Sequence, residues 1–271
     1  MNRNLFARFS EIAYDTAGIC LNENKTALLQ ARIAKRMRSL DFRTADEYLN
    51  FLETDESGDE LVQFLDSIST NYTYFFREED HFDIYSRFLN YWKKQEQTRF
   101  RIWCAAAATG EEPYSIAITT RETLDVNSFD IKILATDIST KALSTAMAGA
   151  YSDEKLKNID EDHRRRNFEK FTPESHRDDR VWQVKGSIRS LLTFKRLNLA
   201  EPPFPMKGPL DFVFCRNVMI YFDQYIRRNL ITEIARLLKP GGILVIGHSE
   251  NLRGIECGLV SLAPSVYQKP E

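Results

Sequence analysis

The segment from Arg99 to Ser115 reads R-F-R-I-W-C-A-A-A-A-T-G-E-E-P-Y-S. The apolar run 101–106 predicts a short strand, the small residues 107–110 predict a tight turn, and 112–124 predict a helix. Pro113 suits the first turn of that helix, where a missing N–H costs nothing. A strand, a turn of small side chains and a helix N-terminus in this order predict a cradle in which a ligand approaches the backbone closely.

Acidic residues at this cradle indicate the kind of ligand. Glu111 and Glu112 would repel a pyrophosphate, but they suit a ligand that offers hydroxyls, an amine or a positive centre. A second predicted strand, 131–136, ends at Asp137, where nucleotide-binding folds hold ribose hydroxyls. NAD is the alternative, but the glycines of its G-x-G-x-x-G motif are absent here. S-adenosylmethionine fits better, because it has a ribose, an amino acid group and a sulfonium, and no phosphate.

Four motifs resemble those of one family, the chemotaxis receptor methyltransferases (CheR). They are N-Y-T-Y-F-F-R at 71–77, T-G-E-E-P-Y-S at 109–115, F-C-R-N-V-M-I-Y-F at 214–222 and G-H-S-E-N at 247–251. They stand in the family's order, and the resemblance runs over nearly the whole chain. One departure is local. The family usually has small residues including Gly at position 106, and Ser or Gly at 108, whereas this chain has Ala106 and Ala108, which keep the space but reduce backbone freedom.

The first part of the chain is predicted to be all-α. Apolar residues recur at helical spacing through residues 1–69, which predicts a small N-terminal domain of four helices. Two capping boxes, Thr44 with Glu47 and Ser57 with Glu60, place the starts of the last two helices.

Residues 70–271 are predicted to form an α/β domain. Strands and helices alternate, which predicts a parallel, doubly wound sheet, and the resemblance implies a Rossmann-like class I methyltransferase fold. The charged stretch at about 151–190 interrupts the alternation and predicts an inserted small β-subdomain. Pro240 to Gly242 are predicted to end the helix 223–238, and a hairpin at 258–269 is predicted to close the sheet.

Candidate cofactor residues lie where predicted strands end, since ligands bind at the carboxyl ends of the strands in doubly wound folds. Asn198 could pair with an adenine edge and Asn217 with the methionine end, although each alone is more often a turn or cap residue. Residues 71–77 alternate polar and aromatic, which alone predicts a half-buried extended strap; the resemblance implies that this strap lies over the cofactor. The predicted cofactor set is Asn71, Thr73, Arg77, Gly110, Glu112, Asp137, Asn198, Leu199, Arg216 and Asn217.

The resemblance implies a protein-glutamate O-methyltransferase that esterifies chemoreceptor glutamates and converts S-adenosylmethionine into S-adenosylhomocysteine. A Glu side chain titrates near 4.3 and is already ionised, so the reaction needs positioning and no general base. Arg77 and Tyr221 are predicted to hold or shape the acceptor site, although Arg77 could serve the cofactor instead. Two alternatives stay open: a non-catalytic signalling adaptor, hinted at by the Ala-rich turn, and a small-molecule carboxyl methyltransferase.

Partner surfaces are predicted in two places. Lys25, Arg32 and Arg36 line one side of the second helix, either as a solvated face or as a dock for acidic receptor helices, which the family's N-terminal domain is thought to meet. Some members capture a C-terminal receptor pentapeptide by strand addition and share a glycine-flanked turn in the insertion. This chain has no glycine between Gly149 and Gly186, so we predict that the tether is not required.

Composition limits the remaining classes. The chain has 271 residues, 43% of them hydrophobic, which is enough for a buried core. No apolar run approaches the ~20 residues that span a bilayer, and the N-terminus lacks a signal peptide's apolar core. We expect a cytoplasmic monomer without membrane insertion. The net charge of −2 argues against nucleic acid binding, and four scattered cysteines without C-x-x-C or paired His spacing predict neither a metal site nor disulfides.

Overall fold

The structure, a computed structural model, describes residues 2–171 and 181–271. Residues 2–69 form four α-helices: α1 (Arg3–Ala17), α2 (Thr26–Ser39), α3 (Ala45–Thr54) and α4 (Asp59–Ile68). Their apolar faces meet around the fully buried rings of Phe9, Tyr48 and Phe64. The prediction of an all-α N-terminal part is confirmed.

One of the two predicted capping boxes is present. Thr44 and Glu47 form the reciprocal pair at the start of α3, but the prediction for Ser57 and Glu60 is wrong. Gly58 is the N-cap of α4, and it makes no side-chain cap. Glu60 is only 4% exposed, and its carboxylate turns inward because it pairs with the partly buried Arg36 and the buried phenol of Tyr48 rather than with the backbone.

The second part of the chain alternates strands and helices. In chain order the strands are β1 (Arg99–Cys104), β2 (Asp130–Asp137), β3 (Ala150–Tyr151), β4 (Phe168–Phe171), β5 (Val181–Val184), β6 (Leu192–Arg196), β7 (Leu210–Cys215), β8 (Leu238–Ile246), β9 (Val260–Ala263) and β10 (Val266–Gln268). The helices are α5 (Asp80–Lys94), α6 (Glu111–Thr123), α7 (Thr140–Ala148), α8 (Glu161–Asn167), α9 (Gly186–Arg189) and α10 (Gln224–Leu237).

The central sheet has the order β6-β2-β1-β7-β8-β10-β9. Strands β6, β2, β1, β7 and β8 run parallel, whereas β10 is antiparallel to both β8 and β9. β7 sends Phe212 and Phe214 into one apolar layer and Val213 and Cys215 into the other, so both faces are covered, as a parallel sheet requires. The doubly wound α/β fold and its closing hairpin are confirmed.

A second, antiparallel sheet of order β3-β5-β4 forms the inserted β-subdomain, which confirms that part of the fold prediction. The glycine-flanked turn was sought in the stretch 168–184, whose middle part, 172–180, lies outside the described residues. No helix in the described part of the chain is long and apolar enough to cross a bilayer.

The junction between α10 and β8 differs from the prediction. The helix ends at Leu237, before Pro240, and Pro240 to Gly242 lie inside β8 rather than forming a stop after the helix. Gly241 donates a backbone hydrogen bond to the Lys269 carbonyl at 2.9 Å, and the pairing of β8 with β7 shifts register at this end. The three residues therefore mark an irregular start of a strand.

Candidate cofactor and acceptor site

A cavity of about 470 Å³ lies at the carboxyl ends of β1, β2 and β7. Its volume is within the range of small-molecule sites. It lies at the topological switch point, since the strands that follow β1 in the chain are placed first on one side of it (β2, β6) and then on the other (β7, β8). The strap 71–77 and the all-α domain complete its wall. Ten predicted site residues line it: Asn71, Thr73, Arg77, Glu112, Asp137, Asn198, Leu199, Arg216, Asn217 and Tyr221.

The small residues of the turn have two different roles. Ala105, Ala106 and Ala108 line the cavity and leave room beside the backbone. Gly110, which was predicted to bind the cofactor, is not part of the lining. It caps α6 at φ +100, and a Cβ there would lie 2.5 Å from the Tyr151 hydroxyl. Gly110 is therefore needed for the backbone conformation and for packing on the side of Tyr151, rather than for contact with a ligand.

Asp137 stands at the end of β2 and is 9% exposed. Its Oδ2 accepts from the Ala108 N–H at 2.8 Å, and its Oδ1 accepts from the Ser139 N–H at 2.9 Å. Burial raises the pKa of Asp137, although these N–H donors oppose the rise. Each carboxylate oxygen keeps a free lone pair, so the side chain is fixed in place and can still accept hydrogen bonds from ribose hydroxyls.

Arg216 is the centre of a buried ionic network. Its side chain is 0% exposed, and its Nη1 lies 2.7 Å from Glu112 Oε2 while its Nη2 lies 3.1 Å from Glu78 Oε2. Nη2 also donates to the Arg77 carbonyl. The guanidinium thus ties β7 to α6 and to the strap. Its Nε has no hydrogen-bond partner among the described residues, so one donor remains.

The pKa values of the two carboxylates around Arg216, Glu112 and Glu78, are shifted in opposite directions. Burial raises the pKa of Glu112, and Arg216 only partly offsets it. Burial also acts to raise the pKa of Glu78, but Arg216 and the amide of Asn217 outweigh it and hold that pKa below its usual value. Of the two acids after the turn, Glu112 faces the cavity, whereas Glu111 is fully buried and binds Lys155 at 2.7 Å.

Two carboxylates that the sequence reasoning missed shape this wall. Glu78 lies at the end of the strap, and Glu250 lies in the loop after β8. Glu250 Oε2 accepts from the N–H groups of Gly247 at 2.7 Å and Asn217 at 2.9 Å, which holds Asn217 at φ +56. Their place in the sequence offered a clue, since Glu78 directly follows F-F-R and Glu250 is the acid of G-H-S-E-N.

The side chain of Asn198 is fixed by three hydrogen bonds. Its Nδ2 donates to the Thr16 carbonyl and to Glu201 Oε1, each at 2.7 Å, and its Oδ1 accepts from the Ala200 N–H at 3.1 Å. Both amide N–H groups are thus engaged, whereas Oδ1 keeps one lone pair as an acceptor for an adenine edge. Asn198 also joins the all-α domain to the loop after β6.

The prediction of a half-buried strap holds over residues 71–75, where exposed and buried side chains alternate. Thr73 is 9% exposed, whereas Tyr72 is 75% exposed and Tyr74 is 36% exposed. The chain then turns at Phe76, which has φ +55. The cavity is lined by the polar residues Asn71, Thr73 and Arg77 of the strap and also by the exposed Tyr72.

The all-α domain reaches the cavity through the segment between α1 and α2. The Cys20 N–H donates to the Tyr221 carbonyl at 2.8 Å, and Lys25 Nζ lies 5.0 Å from the centre of the Tyr221 ring. Lys25 therefore lines the cavity. Arg36 is turned away, since its Nε donates to Glu60 Oε1 at 2.7 Å. Of the three predicted docking cations, Arg36 is therefore engaged by Glu60 within the all-α domain.

The described residues fit S-adenosylmethionine. Asp137 offers acceptors for hydroxyls, the alanines leave space beside the backbone, and Glu112 supplies negative charge close to where a positive ligand would sit. The helix that follows the turn, α6, carries Glu111 and Glu112 in its first turn, which disfavours a phosphate at that helix N-terminus. Fold and site together define the class: a methyltransferase of class I fold that uses S-adenosylmethionine.

Comparison with known proteins identifies the family. The model of the CheR methyltransferase SAM binding domain matches residues 71–262, and that of the CheR methyltransferase all-alpha domain matches 4–69. A chemotaxis protein methyltransferase of Borreliella burgdorferi is 37% identical, with 99% of this chain and 95% of the relative covered. The chemotaxis protein methyltransferase of Escherichia coli is 37% identical, with 97% of this chain and 89% of the relative covered. Chemotaxis protein methyltransferase 2 of Pseudomonas aeruginosa is 38% identical, with 98% of this chain and 92% of the relative covered. This chain belongs to the CheR methyltransferase family.

Proposed function

We propose that this protein methylates glutamate side chains of chemoreceptors, as a protein-glutamate O-methyltransferase. The main support for this proposal is that one cavity is lined both by the cofactor cradle and by two cations from other parts of the chain, Lys25 and Arg77. A carboxylate acceptor would meet positive charge there. The names of the similar proteins support a role in chemotaxis.

The acceptor needs attraction and orientation more than activation. A glutamate carboxylate is ionised at neutral pH, so the protein has to place one of its oxygens in line with the methyl group and exclude water. Lys25 above the Tyr221 ring and Arg77 on the strap supply charge and hydrogen-bond donors for this purpose. Arg77 keeps donors available, because the hydrogen bond found for its guanidinium is a long one of 3.3 Å from Nη1 to the Tyr72 carbonyl.

The cofactor side is held by the buried wall. A bound S-adenosylmethionine would supply an electrophilic methyl group on a positively charged sulfur. Asp137 would bind hydroxyls, Glu112 would favour the positive end, and Asn217 is fixed by Glu250 at the rim of the wall. Arg216 holds the second of these acids, Glu112, in position relative to the strap.

A protein acceptor is favoured over a small molecule by the mouth of the cavity. Three of its lining residues are apolar and exposed: Leu28 at 43%, Tyr72 at 75% and Ile220 at 47%. Exposed apolar side chains around a site indicate a surface that another macromolecule covers. The adaptor alternative is not favoured, because the Ala-rich turn that suggested it still leaves space for a ligand.

We further propose that acidic receptor helices dock beside this mouth through Lys25 and Arg32, without Arg36. The C-terminal pentapeptide of a tether-bearing receptor should show no saturable binding in a titration, and micromolar affinity would overturn that part of the proposal. We also propose that the protein acts as a monomer. Sedimentation at several protein concentrations tests this.

Incubation with labelled cofactor and receptor-containing membranes tests the function. We expect label in the receptor band, and far less with Asp137→Ala. Calorimetry with S-adenosylhomocysteine should show 1:1 binding. No heat would favour the adaptor, and heat together with label only in small molecules would favour the small-molecule enzyme.

A further inference from the structure

A cluster of potential metal ligands lies behind the wall formed by Arg216. Glu78, His81 and His248 each offer one ligand atom, and these atoms lie within 4.8 Å of one another. His81 is 0% exposed, and its Nδ1 lies 3.4 Å from Glu78 Oε2. That Nδ1 has no hydrogen-bond partner in the part of the chain that the structure describes, which is unusual for a buried polar atom.

The hydrogen bonds around His81 decide which ring nitrogen carries the proton. Ser265 Oγ donates to the Pro264 carbonyl at 2.7 Å, so it accepts from His81 Nε2, which lies 2.8 Å away. In the neutral tautomer that carries its proton on Nε2, the other ring nitrogen is an acceptor. Nδ1 therefore presents a lone pair to a carboxylate oxygen, and two acceptors face each other with no proton between them.

We propose that Glu78, His81 and His248 form a site for a divalent transition metal such as zinc. Two imidazoles and one carboxylate are an established ligand set for zinc, with metal–ligand distances near 2.1 Å and hence ligand atoms about 3.4 Å apart. The pair formed by His81 and Glu78 already has this separation. The His248 side chain is 49% exposed, so its ring can rotate to bring its ligand atom closer.

The surrounding groups resemble the outer shell of metal sites. Metal-bound imidazoles usually donate their second N–H to a carboxylate or another acceptor, which orients the ring. Ser265 Oγ is such an acceptor for His81 Nε2, and Asp80 Oδ2, 3.1 Å away, is such an acceptor for His248 Nε2. The sequence prediction of no metal site relied on spacing along the chain, whereas the fold brings His248 beside Glu78 and His81.

Metal binding at this site would oppose cofactor binding. Glu78 also accepts hydrogen bonds from Arg216 Nη2 at 3.1 Å and Asn217 Nδ2 at 3.3 Å, and both residues line the cofactor cavity. A metal that draws the carboxylate toward His81 weakens these bonds, and Arg216 in turn repels the cation. Because coupling between two sites is reciprocal, each ligand should lower the affinity for the other by the same factor.

Metal titration of the full chain tests the site. We expect one equivalent of Co²⁺ to bind, with a spectrum that lacks the thiolate charge-transfer band that the cysteines would produce. His248→Ala should weaken binding by at least about tenfold without disturbing the core, since that side chain is half exposed. His163→Ala is the matched control, because His163 also lies beside a carboxylate, Glu122 at 3.0 Å. No saturable binding, or equal binding by His248→Ala, would overturn the site.

Calorimetry with S-adenosylhomocysteine tests the coupling. Saturating Zn²⁺ should lower the cofactor affinity of the native chain and of His163→Ala, but not that of His248→Ala. Saturating S-adenosylhomocysteine should lower zinc affinity by the same factor. Equal cofactor affinity with and without zinc in the native chain would overturn the coupling, and this readout does not depend on the identity of the acceptor.

Discussion

Arg216 Nη1 lies 2.7 Å from Glu112 Oε2, with the Arg216 side chain 0% exposed and that of Glu112 8% exposed. This pair joins the first residue after β7 to the first turn of α6, across the floor of the cavity. A guanidinium removed from water to this extent needs its partners, because an unpaired buried charge is costly. The ionic network therefore fixes both the strap and the cofactor wall.

Arg216→Met should destabilise the protein by about 3–5 kcal/mol, because it leaves Glu112 and Glu78 buried without their cation. Removing one of those charges as well should restore part of the loss, so Arg216→Met with Glu112→Gln is expected to be more stable than Arg216→Met alone. Urea unfolding measures both. If Arg216→Met were as stable as the native chain, the ionic network would contribute little to the free energy of unfolding.

Asp137→Ala should lower the affinity for S-adenosylhomocysteine by about 1–3 kcal/mol, since ribose hydroxyls lose their acceptor. Asp137→Asn tests the charge. Because burial raises the pKa of Asp137, affinity should fall as pH drops through that raised value, and the Asn variant should show a flatter profile. Parallel profiles for the two proteins would remove Asp137 from the cofactor site.

The same carboxyl group affects folding with the opposite sign. Its folded-state pKa lies above the unfolded value, so the native state binds the proton more readily than the unfolded chain does. The contribution of Asp137 to the free energy of unfolding should therefore increase as pH falls through the raised pKa. Denaturant unfolding of the native chain and of Asp137→Asn at several pH values, without cofactor, measures this contribution. A native chain that loses stability relative to Asp137→Asn as pH falls would contradict the prediction.

Gly110→Ala should destabilise the protein by more than Gly58→Ala. Both glycines have positive φ, +100 and +71, but a Cβ on Gly110 would meet Tyr151 Oη at 2.5 Å whereas one on Gly58 meets nothing within 4 Å. The control carries only the backbone strain, of order 1 kcal/mol. Equal melting temperatures for the two variants would mean that the turn relaxes freely.

Arg32→Glu and Arg36→Glu should behave differently although both lie on α2. Arg32→Glu should raise the KM for the receptor, leave cofactor affinity unchanged, and lose its effect at high salt, because surface charges are screened. Arg36→Glu should instead lower the melting temperature, since it places a negative charge beside Glu60, which is 4% exposed. A salt-independent effect of Arg32→Glu would argue against electrostatic docking.

Local patterns in the sequence were sufficient for the fold and for part of the site. Asp137 could be placed because a strand end has a clear apolar pattern, and parallel strands bring their ends to one edge. The partners of side chains could not be placed. Asn198 has the position expected of a ligand residue, yet its amide is used by Thr16, far away in the chain. Glu78 and Glu250 were missed because a carboxylate reveals its role only through burial and through the N–H groups and cations around it.

The chemical nature of the methylated product tests the central claim most directly. Receptor labelled from methyl-tritiated cofactor is isolated and treated with mild alkali, which hydrolyses a carboxyl methyl ester and leaves N-methyl and S-methyl groups intact. We predict that the label is released as volatile methanol, and that replacing the modified glutamates with alanine abolishes labelling. Label that stays with the protein after alkali, in a reaction that depends on Asp137, would contradict the assignment of a glutamate O-methyltransferase.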